Sequence, residues 1–364
     1  MVREVRSSDV EQVSAITEAS GWGPTTLSGW QRLWVDNPSV RDGSPAVPKG
    51  WVLEEAGRVV GYLCNLTGRY RLGPRTLRVA AAGSLVVLPE HRGLSLQLLL
   101  EFAKQKNVDL LLNTTAAPHV TKICEFLKFT RIPQPDYDLS LYWVLGSRRF
   151  VGAALRKKGA PPALARLGAV ALAAPVALYV AHRHRFKYST AGVDVSVMEP
   201  LAIDDSFDSL WERVCVSDRL LAFRDSATLR WHLAPSRHQG WPFLVTAHDG
   251  QRLRGYAAFV RQDAPHLGLI RARVADLIVE DDDRQIVQAL LMTGLTEARH
   301  RGAAMVELIG FPESIRRAAS DLKPFGLKSE AWPFLYRAND DDLRRSLARK
   351  EVWYASLFDG DGSL

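Results

Sequence analysis

Leu85-Val86-Val87-Leu88-Pro89-Glu90-His91-Arg92-Gly93-Leu94-Ser95-Leu96-Gln97-Leu98-Leu99 decides how this chain is read. The opening apolar run suits a buried strand, and Pro89 ends it. A polar turn with Arg92-Gly93 follows, and from Leu94 the apolar residues take up a helical rhythm. Further on, Val108 to Asn113 reads as another strand. Strand, turn, helix and strand in that order make a crossover onto a parallel neighbour.

Working outward, the same order returns about 190 residues later. Gly50-Trp51 and Gly61-Tyr62 open two strand-like segments across a short turn, as Gly240-Trp241 and Gly255-Tyr256 do. Leu85-Val86-Val87 matches Leu277-Ile278-Val279, and Leu110-Leu111-Leu112 falls opposite Val306-Glu307-Leu308. Each copy begins with a short strand and two amphipathic helical stretches: Asp9 to Glu18 with Leu27 to Trp34, then Asp205 to Val216 with Ser226 to His232. An internal duplication accounts for all of these matches. The fold class expected is α+β, with two tandem units, each a mixed central sheet with flanking helices.

A chain of 364 residues, 47% hydrophobic and 24% charged, has room for two cores and excludes a disordered or multi-span membrane protein. Cys64, Cys124 and Cys215 lie far apart, so they form neither a disulfide framework nor a cysteine-rich zinc site, and they point to a reducing compartment, the cytoplasm. Met1 to Arg6 alternates apolar and charged residues unlike a secretory signal, and the mature chain is expected to start at Met1.

Charge is unevenly placed. Between Asp138 and Asp194 there is no acid, while Arg148, Arg149, Arg156, Lys157, Lys158, Arg166, Arg183, Arg185 and Lys187 are all basic. These nine account for the excess of 47 Lys and Arg over 40 Asp and Glu. Between them runs an unbroken apolar stretch from Leu167 to Ala181, short and Ala-rich for the ~20 residues of a spanning helix and broken by Pro175. Three readings stay open: a spanning helix, a helix lying on an anionic membrane surface at the inner face, and a buried helix between domains. The domains expected are 1–145, a connector 146–190, 191–340 and a tail 341–364.

The segment Leu85 to Leu99, with its Pro-Glu-x-Arg-Gly turn, resembles the acyl-CoA-binding segment of the GNAT acyltransferase superfamily. Ile123-Cys124-Glu125-Phe126-Leu127-Lys128-Phe129 is similar to the Tyr-x-x-x-Gly-Phe helix end of that fold. The resemblance implies acetyl-CoA or another acyl-CoA as donor, its pyrophosphate held by N–H groups at a helix start. Carried onto this chain, it places Val87, Arg92, Gly93, Leu94, Ser95, Leu96 and Asn113 at the cofactor. Ser95 and Gln97 stand where the family has glycine or another small residue. In the second copy the corresponding loop is Val279-Glu280-Asp281-Asp282-Asp283, whose acids would repel a pyrophosphate. That run also suits a solvated loop and helix start. Coenzyme A is therefore expected in the first unit alone.

For catalysis the resemblance offers Cys124, at the position of the family's proton-donating Tyr, and Asp276, a carboxylate on the long strand of the second unit. Both also suit structural roles, as a buried thiol and a strand-edge acid. Trp22, Trp30 and Trp34 cluster where GNATs line the acceptor groove, and serve either as core or as a stacking face. No hydrolase elbow, Walker loop or zinc-protease motif occurs, and no metal is expected. Phe223-Arg224-Asp225, Leu229-Arg230-Trp231-His232 and the tail Glu351 to Asp361 resemble tandem GNAT-like proteins associated with cell-surface polysaccharide assembly.

The function this implies is acyl transfer to an amino or hydroxyl group, with a sugar intermediate as acceptor. The alternatives are a non-catalytic binding or membrane-assembly module and a Fem-type aminoacyl transferase. Against the last, the positive charge sits in an apolar connector rather than in an aromatic-lined groove, which also argues against nucleic acid as a partner.

Overall fold

The computed structural model describes residues 1–21, 25–41, 47–184, 192–234, 238–328 and 333–364. Trp22, Arg185 and Lys187, named above, lie outside them.

The first half runs β1 (Val2–Glu4), α1 (Val10–Ala19), α2 (Leu27–Trp34), β2 (Gly50–Glu55), β3 (Arg58–Leu72), β4 (Arg75–Val87), α3 (Ser95–Ala103), β5 (Leu110–Asn113), α4 (Pro118–Phe126), β6 (Thr130–Arg131) and β7 (Leu139–Val144). Two helices follow, α5 (Ser147–Lys157) and α6 (Pro162–Arg183). The second half runs β8 (Asp194–Met198), α7 (Asp205–Val214), β9 (Leu220–Ala222), α8 (Ser226–His232), β10 (Phe243–Asp249), β11 (Arg252–Arg261), β12 (Arg271–Val279), α9 (Arg284–His300), β13 (Met305–Leu308), α10 (Glu313–Ser320), β14 (Phe325–Lys328), β15 (Leu335–Ala338) and α11 (Asp341–Leu347).

The expected α+β architecture is present, and the repeat extends to strand register. In both halves an antiparallel meander leads into a long strand, a helix crosses over, and a parallel strand pairs with the first part of the long one. Gly61 pairs with Val87 and Gly255 with Val279, each opposite the last residue of the long strand. A side chain at position 255 would place its Cβ 2.7 Å from the Ile278 carbonyl, which explains a glycine there.

The sheets do not stop at the sequence boundaries 145 and 191. The first has the order β1-β2-β3-β4-β5-β15-β6, with β9 added to β3, and the second β14-β7-β13-β12-β11-β10-β8. The first half thus lends β7 to the second sheet, and the second half lends β15 and β9 to the first. β7 pairs with β13 from Leu141↔Leu308 to Val144↔Met305, and β15 pairs with β5 from Leu335↔Asn113 to Ala338↔Leu110. An unpaired edge beside a short parallel strand is a liability, and the exchange covers both edges while tying the halves together. The core follows suit: one cluster of buried side chains includes Trp34, Tyr70, Trp143, Phe243 and Trp353. Residues 350–364, expected as a tail, are largely buried against both sheets.

α3 shows how sequence spacing sets the local packing. Leu98, Leu99, Phe102 and Ala103 lie on one face and are buried, with Phe102 edge-on to Trp51 at 6.3 Å. Each large side chain buried there contributes about 1.5–3 kcal/mol, which fixes the helix start at the end of β4.

Candidate functional site

β4 and β5 pair from Val79↔Leu110 to Ala82↔Asn113, and there the ladder ends although β4 continues to Val87. The β3–β4 register slips at the same place, and Ser84 takes a left-handed φ of 47°. Such a bulge turns a strand away from its neighbour. The gap is a cleft of about 690 Å³ between residues 82–89 of β4 and its exit and residues 113–120 at the start of α4, with Ala19 and Ser20 at one side. Its walls are mainly apolar (Leu63, Leu85, Val86, Leu88, Val120), with Ser84, Asn113, Thr115, His119 and Arg92 as polar groups.

Of the residues expected at the cofactor, Val87, Arg92, Ser95 and Asn113 line this cleft. Gly93 and Leu94 lie in the exposed 3-10 turn Pro89–Leu94 at its edge, and Leu96 packs partly against the core beneath α3. Arg92 has no hydrogen-bond or ion-pair partner among the described residues. No side chain caps the start of α3, which continues from the 3-10 turn, and the Ser95 N–H donates to the Arg92 carbonyl. Gln97, on the exposed face of α3, does not line the cleft.

The catalytic expectations fare differently. Cys124 is buried, receives a hydrogen bond from the Asn113 amide at 3.6 Å, and does not line the cleft. Burial pushes its thiol up to about 11, so it stays protonated at neutral pH and serves to orient Asn113. Asp276 is fully buried in the second sheet, where Arg224 Nε lies 2.9 and 3.1 Å from its two oxygens and the Tyr256 hydroxyl donates to it at 2.6 Å. It is an internal ion pair rather than an accessible base, a correction to the sequence reading. Burial alone would oppose its charge; Arg224 is what makes it tolerable there. Trp30 and Trp34 are likewise core: both are buried, their rings 4.5 Å apart.

A carboxylate from the far end of the chain lies behind the cleft wall, bonded to Thr115, which lines it. Asp361 accepts hydrogen bonds from Thr115 Oγ1 at 2.8 and 3.1 Å and from Thr114 Oγ1 at 3.2 Å. It lies so close to β4 that a Cβ on Gly83 would be 3.0 Å from its Oδ2. Burial raises its pKa, opposed by hydrogen bonds from Thr115, Thr114 and the Ser84 backbone. Nothing near residue 361 in sequence signals this placement, because it depends on 246 residues of intervening chain.

The equivalent junction in the second half is partly filled, with a cleft of about 500 Å³ left among Arg213, Arg219, Arg252, Ile278, Glu280 and Tyr354. The β12–β13 ladder also ends early, at Val274↔Leu308, but the C-terminal segment enters the space beyond it. The Tyr354 hydroxyl donates to the Leu277 carbonyl at 2.6 Å, and the Phe311 N–H donates to the Ala355 carbonyl at 2.7 Å. Gly310, with φ 78°, allows this approach, since a Cβ there would sit 2.6 Å from the Ala355 oxygen.

The acidic loop is solvated only in part, at Asp281. Glu280 is buried among Arg213, Arg252 and Arg254; burial pushes its carboxyl up, and the hydrogen bonds from Arg213 and Arg252 outweigh that and hold it low. Asp282 is paired with Arg219 at 2.7 Å, and the Asp283 side chain caps α9 by accepting from the N–H groups of Gln285 and Ile286. Among the described residues no group of His, Cys, Asp and Glu is placed to hold a metal ion.

No protein-family model matches this sequence, and no curated protein sequence is similar to it. Solved structures are similar in fold. A GCN5-related N-acetyltransferase from Kribbella flavida superimposes with a TM-score of 0.54 at 15% identity, covering 93% of this chain and 70% of that one. One from Anabaena variabilis ATCC 29413 does so with a TM-score of 0.56 at 11% identity, covering 93% and 73%. The chain has a GNAT-like fold.

Proposed function

We propose that this protein is an acyl-CoA-dependent acyltransferase whose first unit binds the donor and carries out the transfer. The observation that carries the reading is the open cleft between β4 and β5, with the uncapped start of α3 and the unpaired Arg92 at its edge. A partnerless cation beside a helix start suits a pyrophosphate, and the apolar wall from Leu85 to Leu88 suits an acylated arm. The donor supplies an acyl group activated as a thioester.

Asp361 is the group we assign as base. As the acceptor's amine or hydroxyl attacks the thioester carbonyl, its proton passes to the Asp361 carboxylate, the new C–N or C–O bond forms, and the C–S bond breaks to release the thiolate. Thr114, Thr115 and the Ser84 N–H hold the carboxylate in place. A sugar intermediate as acceptor is the finer reading and rests on the resemblance of segments 223–232 and 351–361, since the Trp30–Trp34 pair is unavailable for stacking.

Titration calorimetry with acetyl-CoA and longer acyl-CoAs tests the donor: one site per chain is expected, and no binding at millimolar ligand overturns the reading in favour of a non-catalytic module. With a panel of amino sugars and simple amines as acceptors, Asp361→Asn is expected to lower kcat about 10²–10⁴-fold with donor affinity unchanged. In the unsubstituted protein kcat should rise with pH through an inflection above the ordinary carboxylate range, because burial raises the Asp361 pKa and the base acts deprotonated.

A further inference from the structure

α6 is built inside out. A helix on the surface of a water-soluble body turns its large apolar residues inward and its polar ones outward. Here the inward seam is mostly small: Ala165 and Ala169 are buried, with Val180 near the far end, and a Cβ on Gly152 of α5 would be 3.5 Å from the Ala169 Cβ. The outward face carries Leu164, Leu167, Val170, Leu172, Leu178 and Tyr179, each 47–73% exposed. Of the most apolar eighteen-residue stretch of α6, only 17% is buried, which rules out the buried interdomain helix considered from the sequence.

We propose that this face lies in the interface of an anionic lipid membrane, parallel to its plane. Charge selects the occupant. Arg148, Lys157, Lys158 and Arg166 have no ion-pair or hydrogen-bond partner among the described residues, three of them sit at the turn between α5 and α6, and no acid occurs from residue 139 to 193. A second copy of the same face would bring those cations no counter-charge, whereas anionic headgroups would.

Geometry selects interfacial binding over crossing. At 22 residues α6 is about 33 Å long, enough to span. Yet β7 before the helix pair and β8 after it both belong to the second sheet. Arg156 of α5 donates to the Leu267 carbonyl at 2.7 Å, and Arg183 at the end of α6 donates to the carbonyls of Lys323 and Pro324 at 2.9 and 2.8 Å. Both ends of the pair are thus fastened to one body, and α6 lies along its surface with the large side chains outward.

The test is co-sedimentation of the full chain with phosphatidylcholine vesicles, with and without phosphatidylglycerol, at low and high salt. Binding is expected to be about tenfold or more tighter with phosphatidylglycerol, to weaken with salt, and to fall again in Lys157→Gln/Lys158→Gln/Arg166→Gln. Leu167→Gln/Leu178→Gln, whose side chains are exposed and whose fold is checked by circular dichroism, should lose about tenfold or more through the apolar contribution. Three results overturn the proposal. They are no vesicle-bound fraction at low salt, salt-resistant association released only by detergent, and a concentration-dependent dimer that the double leucine variant returns to monomer.

Discussion

The two strand-to-helix junctions have a common backbone plan and opposite chemistry. At the first, β4 leaves β5, α3 begins uncapped, Arg92 faces the gap without a partner and the gap is open. At the second, β12 leaves β13 in the same way, but Asp283 caps α9, arginines neutralise Glu280 and Asp282, and the C-terminal segment occupies part of the gap. A splayed pair of parallel strands exposes backbone groups that need partners. At one junction the gap stays open; at the other the C-terminal segment supplies partners from within the chain. The segment that enters the second gap goes on to place Asp361 against Thr115 at the wall of the first, so both contacts are made by a single stretch of chain.

The largest effect expected from breaking this contrast is on stability. Asp276→Ala leaves Arg224 charged and buried without its partner, and should cost about 3–5 kcal/mol in urea unfolding. Turnover per folded molecule should be unchanged, which separates an internal ion pair from the base that the sequence suggested.

Next comes pH. Burial raises the pKa of Asp359, in the C-terminal segment, from 3.8 to about 6, so its folded form holds a proton more tightly than the unfolded chain. Its contribution is present at low pH and is lost as pH rises from about 4 to 6. Burial lowers that of His232, bonded to Ser363 Oγ at 2.8 Å, from 6.5 to about 3, and its contribution is lost as pH falls below about 6.5. Each slope is on the order of 1.4 kcal/mol per pH unit, and between about pH 4 and 6 they oppose one another. In chemical unfolding over that range, Asp359→Asn should expose a stability that rises with pH and His232→Gln one that falls. Identical slopes in both variants would mean that neither group is linked to docking of the segment.

At the first junction, Arg92→Glu should weaken acyl-CoA binding at least tenfold, about 1.4 kcal/mol, while Arg252→Glu at the second junction leaves it unaltered. Calorimetry distinguishes the two, and equal losses would mean that the second unit also holds the donor. The smallest change is expected of Gln97→Ala. Because that side chain points away from the cleft, affinity should shift less than about twofold, whatever glycine the family carries there.

Much of the fold was legible because it rests on local order. Helices α1, α2, α7 and α8 fall where amphipathic spacing put them, within a few residues, and the Gly61–Val87 and Gly255–Val279 pairs follow from the repeat. At the candidate site, Val87, Arg92, Ser95 and Asn113 were found because they lie within about thirty residues of one motif. Asp276 was offered as a base, and Trp30 was left open between core and stacking face, for one reason: a sequence gives a residue's chemistry but not its access to solvent.

By itself, the sequence determined the two-fold repeat, the strand–turn–helix junction with its arginine, and the acid-free apolar stretch, because periodicity and composition are properties of neighbouring residues. Only the tertiary structure decided that β7 and β15 change places, that Glu280 and Asp276 are buried among arginines, that α6 turns its leucines outward, and that Asp361 meets Thr115. These are pairings between residues far apart in sequence, settled by which edges needed covering and which charges needed partners once the two sheets had packed together.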